Sequence, residues 1–208
     1  MYLSIHFLLI LHTLFYCIFK NMSMISHDFI QVYFFILLGT LWATLEVQIE
    51  GKFGWAAKLP TTTFLETKFT WYHVIMNLMV ILIVFETVEW SWRLPFWVSG
   101  LFLIEDYMWF MVNPDFGIIR YDSEHVRWHT WGILGLGTFM PQGNWLSIFI
   151  MSGCAICDML ITNSYILWWQ NIAVLVYLVV ATILNKTFGR QTTKITRVKL
   201  DRTNSLKM

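Results

Sequence analysis

A succession of long apolar runs limits what this chain can become more than any other feature. Six can be read, at roughly residues 2–19, 29–49, 71–88, 94–113, 145–162 and 164–184. Each is near the ~20 residues an α-helix needs to cross the hydrocarbon core of a bilayer. A backbone in lipid must satisfy its own hydrogen bonds, which separate runs of this length do as helices. Composition agrees: 57% of the 208 residues are hydrophobic, and only 13% are charged, about half the ~25% of a soluble domain. The expected fold is all-α, a polytopic transmembrane helix bundle of about six spans, or five if the first is not retained. It forms one domain over 1–184, followed by a basic tail over 185–208.

Local signals support these runs. Trp90, Trp92, Trp97, Trp128, Trp131, Trp145, Trp168 and Trp169 cluster at or near their ends, where interfacial aromatics collect. Asn113-Pro114 predicts a stop to the fourth run, because proline biases its predecessor away from helix. The run 2–19 lacks a basic leader and a small-residue cleavage site, so an uncleaved anchor is expected there. Residues 130–144, "TWGILGLGTFMPQGN", are too short before Pro141 to span, and an interfacial or re-entrant segment is expected. The glycines of that segment lack the Lys-Ser/Thr of a phosphate loop.

Orientation comes from the basic residues. The tail holds Lys186, Arg190, Lys194, Arg197, Lys199, Arg202 and Lys207 against Asp201. With six alternating spans and this tail inside, the inner side also holds Lys52, Lys58, Lys68, Arg120 and Arg127, and the outer side only Lys20 and Arg93. That is 12 against 2 of the 14 basic residues. The positive-inside rule then places both termini in the cytoplasm, with the protein in the cell membrane. The tail is expected to be poorly ordered beyond roughly Arg190 and to rest on anionic headgroups. Net charge is +1, so nucleic acid is not an expected partner; membrane lipids and a lipophilic small molecule are.

Against this background the ionisable residues inside the runs stand out, since each acid costs about 2.5–3.5 kcal/mol at a helix centre on insertion scales. Glu105 and Asp106 sit side by side in 94–113. Glu46 and Glu50 are four apart and share a helix face, as do His73 and Asn77. Asp106, Trp109 and Asn113 follow an i, i+3, i+7 pattern, whereas Glu105 is turned about 100° from Asp106. His125 and His129 follow in a connection and have metal-ligand spacing. In the predicted topology all these groups reach similar depth in the inner leaflet. The candidate site is therefore Asp106, His73, Glu50, Glu46, Glu105, Asn77 and His129, with the acids held by His73, Asn77 or protonation and with Glu50 and His129 at the mouth of the site. A divalent metal would fall to His73, Asp106, His125 and His129.

The cysteines Cys17, Cys154 and Cys157 do not describe a disulfide framework. "CAICDMLITN" resembles the Cys-x-x-Cys helix of vitamin K epoxide reductase-like quinone reductases, but relay cysteines have no counterpart here. A broader resemblance rests on "LEVQIEGKFGWAAKLPT", "YHVIMNL", "EDYMWFMVNPDFGI" and "RWHTW". These strings are similar to those of a family of small prokaryotic multi-pass membrane proteins of unknown function, over about residues 40 to 145. The chain departs from that pattern at "WYH" for "GYH" and at "LPTTTF" for "L-P-T-W-R". The resemblance implies a multi-pass fold and brings no activity.

Three functions stay open on the sequence: an enzyme acting on a lipid or isoprenoid-like substrate by acid–base or metal-assisted chemistry, a proton-coupled transporter, and a non-catalytic assembly or binding factor. The topology gives a direct prediction. Single cysteines placed in 50–70 are expected to resist membrane-impermeant maleimide in intact cells and to react after permeabilisation. Labelling from outside would overturn the orientation.

Overall fold

The computed structural model describes residue 13 and residues 27–50, 70–88, 90–113 and 142–205. Among the described residues there are five helices and no strand: α1 (His27–Glu50), α2 (Trp71–Thr87), α3 (Arg93–Val112), α4 (Gln142–Thr162) and α5 (Ile166–Ser205). Each falls on an apolar run read from the sequence. The run 2–19, the segment 51–69 and the stretch 114–141, with His125, His129 and most of the expected re-entrant segment, lie outside the described residues.

Three helices contain segments long and apolar enough to cross a membrane: Asp28–Glu50, Asn144–Thr162 and Ile166–Lys186. α2 is apolar but shorter. α3 has the length, yet it carries Arg93, Glu105 and Asp106 and lies inside the bundle. Of its 20 residues, 13 are buried, including every one from Tyr107 to Val112. A helix apolar on all sides finds its place in a core, and α3 packs against all four other helices.

The proline signal holds at the end of α3. Asn113 leaves helical geometry with φ −79° and ψ 114°, and its backbone N–H donates to the Trp109 carbonyl at 3.0 Å. α4 and α5 are joined by a tight turn in which Asn163 adopts φ 57°. Asparagine tolerates that left-handed conformation better than most residues.

α5 extends into the basic tail. It is one helix of 40 residues ending at Ser205, so helical backbone continues through the basic segment well past Arg190. The segment contains no proline, and extending an existing helix avoids the cost of a new nucleus. At 1.5 Å per residue, α5 is roughly 60 Å long, about twice the hydrocarbon thickness.

α1 and α3 run side by side in the same direction. Arg93 meets Asp28 at 3.5 Å, and Trp97 stacks on Phe35 with centroids 4.4 Å apart. Further along, Gly39 lies against Ile104 and Leu101, and Trp42 against Phe102. Hydrogen bonds tie α5 to this pair: Gln170 donates to the Asp28 carbonyl at 3.2 Å, Thr40 and Tyr177 share a hydroxyl pair at 2.8 Å, Tyr107 bonds Thr182, and Asn185 donates to the Met111 carbonyl at 2.8 Å. On its other side α5 reaches α4, where Asn171 donates to Ser152 at 3.1 Å.

Gly39 is the closest approach of the two parallel helices. A Cβ there would stand 2.8 Å from Ile104 Cγ2 and 3.1 Å from Ile104 Cβ. The Ile104 Cβ is fixed to the backbone, so the helices themselves would have to part. Gly39→Ala is expected to cost about 1–3 kcal/mol, as overpacking does. Gly153, with nothing within 4 Å of its would-be Cβ, is the control. Thermal unfolding in detergent should show Gly39→Ala melting below wild type and Gly153→Ala not. Equal melting of the two variants would contradict this packing.

Candidate functional site

The parallel path of α1 along α3 decides which acids meet. Continuing the sequence of contacts from Asp28–Arg93 through Trp42–Phe102 by one more turn brings Glu46 beside Glu105. Their carboxyl groups come close enough to interact, and to share a hydrogen bond if one is protonated. Such a bond between two carboxyls exists only when one of them holds a proton, because an ionised carboxylate has no donor. Glu46 also accepts from Trp42 Nε1 at 3.1 Å.

Glu105 is 6% exposed, while Asp106 is half-buried and lies within electrostatic reach of both Glu46 and Glu105. The enclosed acid of α3 is thus Glu105, whereas the sequence reading favours its neighbour. The helical pattern through Trp109 and Asn113 correctly marks a buried face, since both are buried. That face is wide, because α3 is surrounded, and it takes in Glu105 as well.

The second pair spans α1 and α2. His73 Nε2 lies 3.4 Å from Glu50 Oε1, with their side chains 9% and 5% exposed. The other imidazole nitrogen, Nδ1, lies 2.8 Å from Thr70 Oγ1. Glu50 is the last residue of α1 and His73 the third of α2, so this ion pair closes the end of the bundle. The sequence reading places His73 and Asp106 in one site with Glu50 at its mouth, and the structure brings His73 to Glu50. Asn77 is half-buried one turn further along α2. Sequence reading also does not single out Thr70. The available signal is a threonine three residues before His73 at the start of an apolar run, the spacing of a helix N-cap and its third residue.

Tyr72 completes the surroundings. Its ring meets His73 edge-on at 5.1 Å. Its hydroxyl is shut off from solvent and lies within hydrogen-bonding reach of Glu46, with Glu50 and Glu105 in its electrostatic surroundings. Among the described residues no group of three or more His, Cys, Asp and Glu could hold a metal ion. The four proposed metal ligands include His125 and His129, which lie outside those residues. Cys154 is buried and Cys157 half-buried on α4, both as free thiols.

The residues gathered here come from three separate strings of the sequence: Glu46 and Glu50, then Thr70 to His73, then Glu105 and Asp106. The arrangement can hold and pass a proton at two places, the Glu46–Glu105 carboxyl pair and the Thr70–His73–Glu50 chain.

Breaking the His73–Glu50 pair should be costly, because it leaves an enclosed carboxylate without its imidazole. His73→Ala is expected to lose about 3 kcal/mol, the low end for breaking a buried pair. The double variant His73→Ala/Glu50→Ala should lose less than the sum of the single changes. Unfolding in detergent measures both quantities, and strict additivity would show that the pair contributes nothing.

Comparisons of the chain with protein families, curated proteins and solved structures return no match, so its own geometry carries the functional argument.

Proposed function

We propose that this protein is a membrane-embedded enzyme that acts on a lipid or isoprenoid-like substrate by acid–base chemistry. The observation that carries the reading is the convergence of the Glu46–Glu105 carboxyl pair and the His73–Glu50 ion pair at one end of an apolar helix bundle. Ionisable groups kept inside membrane helices are expensive and mark working sites by default. A carboxyl pair sharing one proton offers an acid and a base in a single place. The buried Tyr72 hydroxyl adds a proton donor beside Glu46.

The wider setting belongs to the same proposal. The chain crosses the cell membrane about six times, with both termini and the acidic end on the cytoplasmic side, and it belongs with the small multi-pass family its motifs resemble. The exposed apolar side chains Ile75, Leu78, Met79 and Leu82 on α2 suit contact with acyl chains, so a lipophilic substrate can approach from within the bilayer.

A second reading, proton-coupled transport, draws support from one set of contacts. The Tyr107–Thr182 and Thr40–Tyr177 hydroxyl pairs and the Gln170–Gln31 amide pair extend polar groups from the acidic end toward the Arg93 end. Proteoliposomes that collapse an imposed pH gradient, and cease to do so with Tyr177→Phe, would favour transport over catalysis.

The enzymatic reading is tested by turnover. Purified protein reconstituted with the total lipid extract of its expression host is expected to convert at least one lipid species, detected by mass spectrometry. Glu105→Gln keeps the shape and removes the shared proton; it should lower that conversion by at least about 100-fold, the lower range for losing a general acid or base. An unchanged lipid profile with wild-type protein, or full conversion by Glu105→Gln, would sink the reading.

A further inference from the structure

The cap of α2 behaves unusually. Thr70 is the N-cap residue, with extended backbone at φ −95° and ψ 158°, yet its side chain makes no capping hydrogen bond. An N-cap threonine ordinarily bonds a backbone N–H of the first turn, an arrangement worth about 0.5–2 kcal/mol. Here the hydroxyl meets the His73 imidazole at Nδ1, 2.8 Å away.

The opposite imidazole nitrogen decides the direction of that bond. Nε2 faces the Glu50 carboxylate at 3.4 Å, and a carboxylate can only accept. Nε2 therefore carries the proton in the neutral ring, which leaves Nδ1 as an acceptor for the Thr70 O–H. The result is a hydroxyl, an imidazole and a carboxylate in line. This is the arrangement by which a base activates a hydroxyl nucleophile and a third group orients the base.

From this geometry we infer that Thr70 is a nucleophile, activated by His73 and Glu50, for acyl transfer from an ester-linked lipid. The inference deepens the enzymatic reading and rests on it. Thr70 Oγ1 attacks the acyl carbonyl carbon as its proton passes to His73 Nδ1, and Glu50 stabilises the imidazolium through Nε2. The bond from the acyl carbon to the lipid alcohol breaks, and the departing oxygen takes the proton from His73. The acyl group is then esterified to Thr70. A water molecule gives a proton to His73 and attacks that ester; Thr70 leaves with the proton, and the carboxylic acid is released. Ester and water become alcohol and acid, with no other reactant. The first-turn N–H groups of α2, which the Thr70 side chain does not cap, follow Thr70 directly in the chain and are the donors available to a developing oxyanion.

Thr70 is half-buried rather than enclosed, and the inference is testable with a small reagent in place of the natural substrate. Full-length protein in detergent is treated with an alkyl fluorophosphonate, which loses fluoride as a phosphorus–oxygen bond forms at an activated hydroxyl. Peptide mapping by mass spectrometry should place the adduct on Thr70. Thr70→Ser should still label. Thr70→Asn keeps a residue suited to an N-cap and should not label while remaining folded by thermal unfolding. His73→Gln should slow labelling at least about 100-fold, as loss of a general base does, and Glu50→Gln should slow it as well. No adduct on Thr70, or an unchanged rate in folded His73→Gln, overturns the inference. Lipid turnover that persists in Thr70→Asn removes the nucleophile while leaving the broader acid–base reading in place.

Discussion

The packing of α1 along α3 is the contact on which the rest of the structure depends. Among lipid chains, helices gain little from hiding apolar surface, so close van der Waals fit and interhelical hydrogen bonds must hold the bundle together. Gly39 supplies the fit by letting α1 approach the Ile104 side chain, and Phe35 on Trp97 extends it. Asp28 with Arg93 marks one end of the contact. The other end follows by geometry, because two parallel helices in fixed register bring Glu46 to Glu105. The acidic pair is a consequence of this packing.

That consequence explains how α3 can hold acids at all. Glu105 is enclosed by protein, 6% exposed, with the Glu46 carboxyl as its near neighbour. α5 braces the same region through Tyr107–Thr182 and Asn185–Met111, and α2 closes it through His73–Glu50. Each brace uses one polar group from each of two helices, which sets register more sharply than apolar contact can. A site that moves protons needs such a frame, since donor and acceptor must hold hydrogen-bond distance.

Much of the helical layout is legible in the sequence. The runs at 29–49, 71–88, 94–113, 145–162 and 164–184 became α1 to α5, and Asn113-Pro114 marked the end of α3. Apolar length and proline chemistry are local properties, and they survive without knowledge of neighbours. The site was legible as a region, because acids and imidazoles inside apolar runs advertise themselves by their cost. Their pairing was not. Whether Glu105 or Asp106 is the more enclosed depends on which neighbours surround α3, and the contact of His73 with Glu50 depends on where α1 ends. Thr70 was invisible for a similar reason: a threonine before a helix reads as a cap, and only the Nδ1 contact shows its hydroxyl engaged elsewhere.

The central claim is that α1 and α3 bring Glu46 and Glu105 into one shared-proton pair. A double-mutant cycle measures this most directly, using unfolding in detergent of Glu46→Gln, Glu105→Gln and the double variant. Residues in one hydrogen-bonded network show coupling of about 0.5–3 kcal/mol, whereas separated sites add within about 0.5 kcal/mol. The account predicts coupling above about 1 kcal/mol, because either glutamine alters the partner's proton sharing. Additive losses would mean that the two carboxyls do not meet, and the account would be wrong at its foundation.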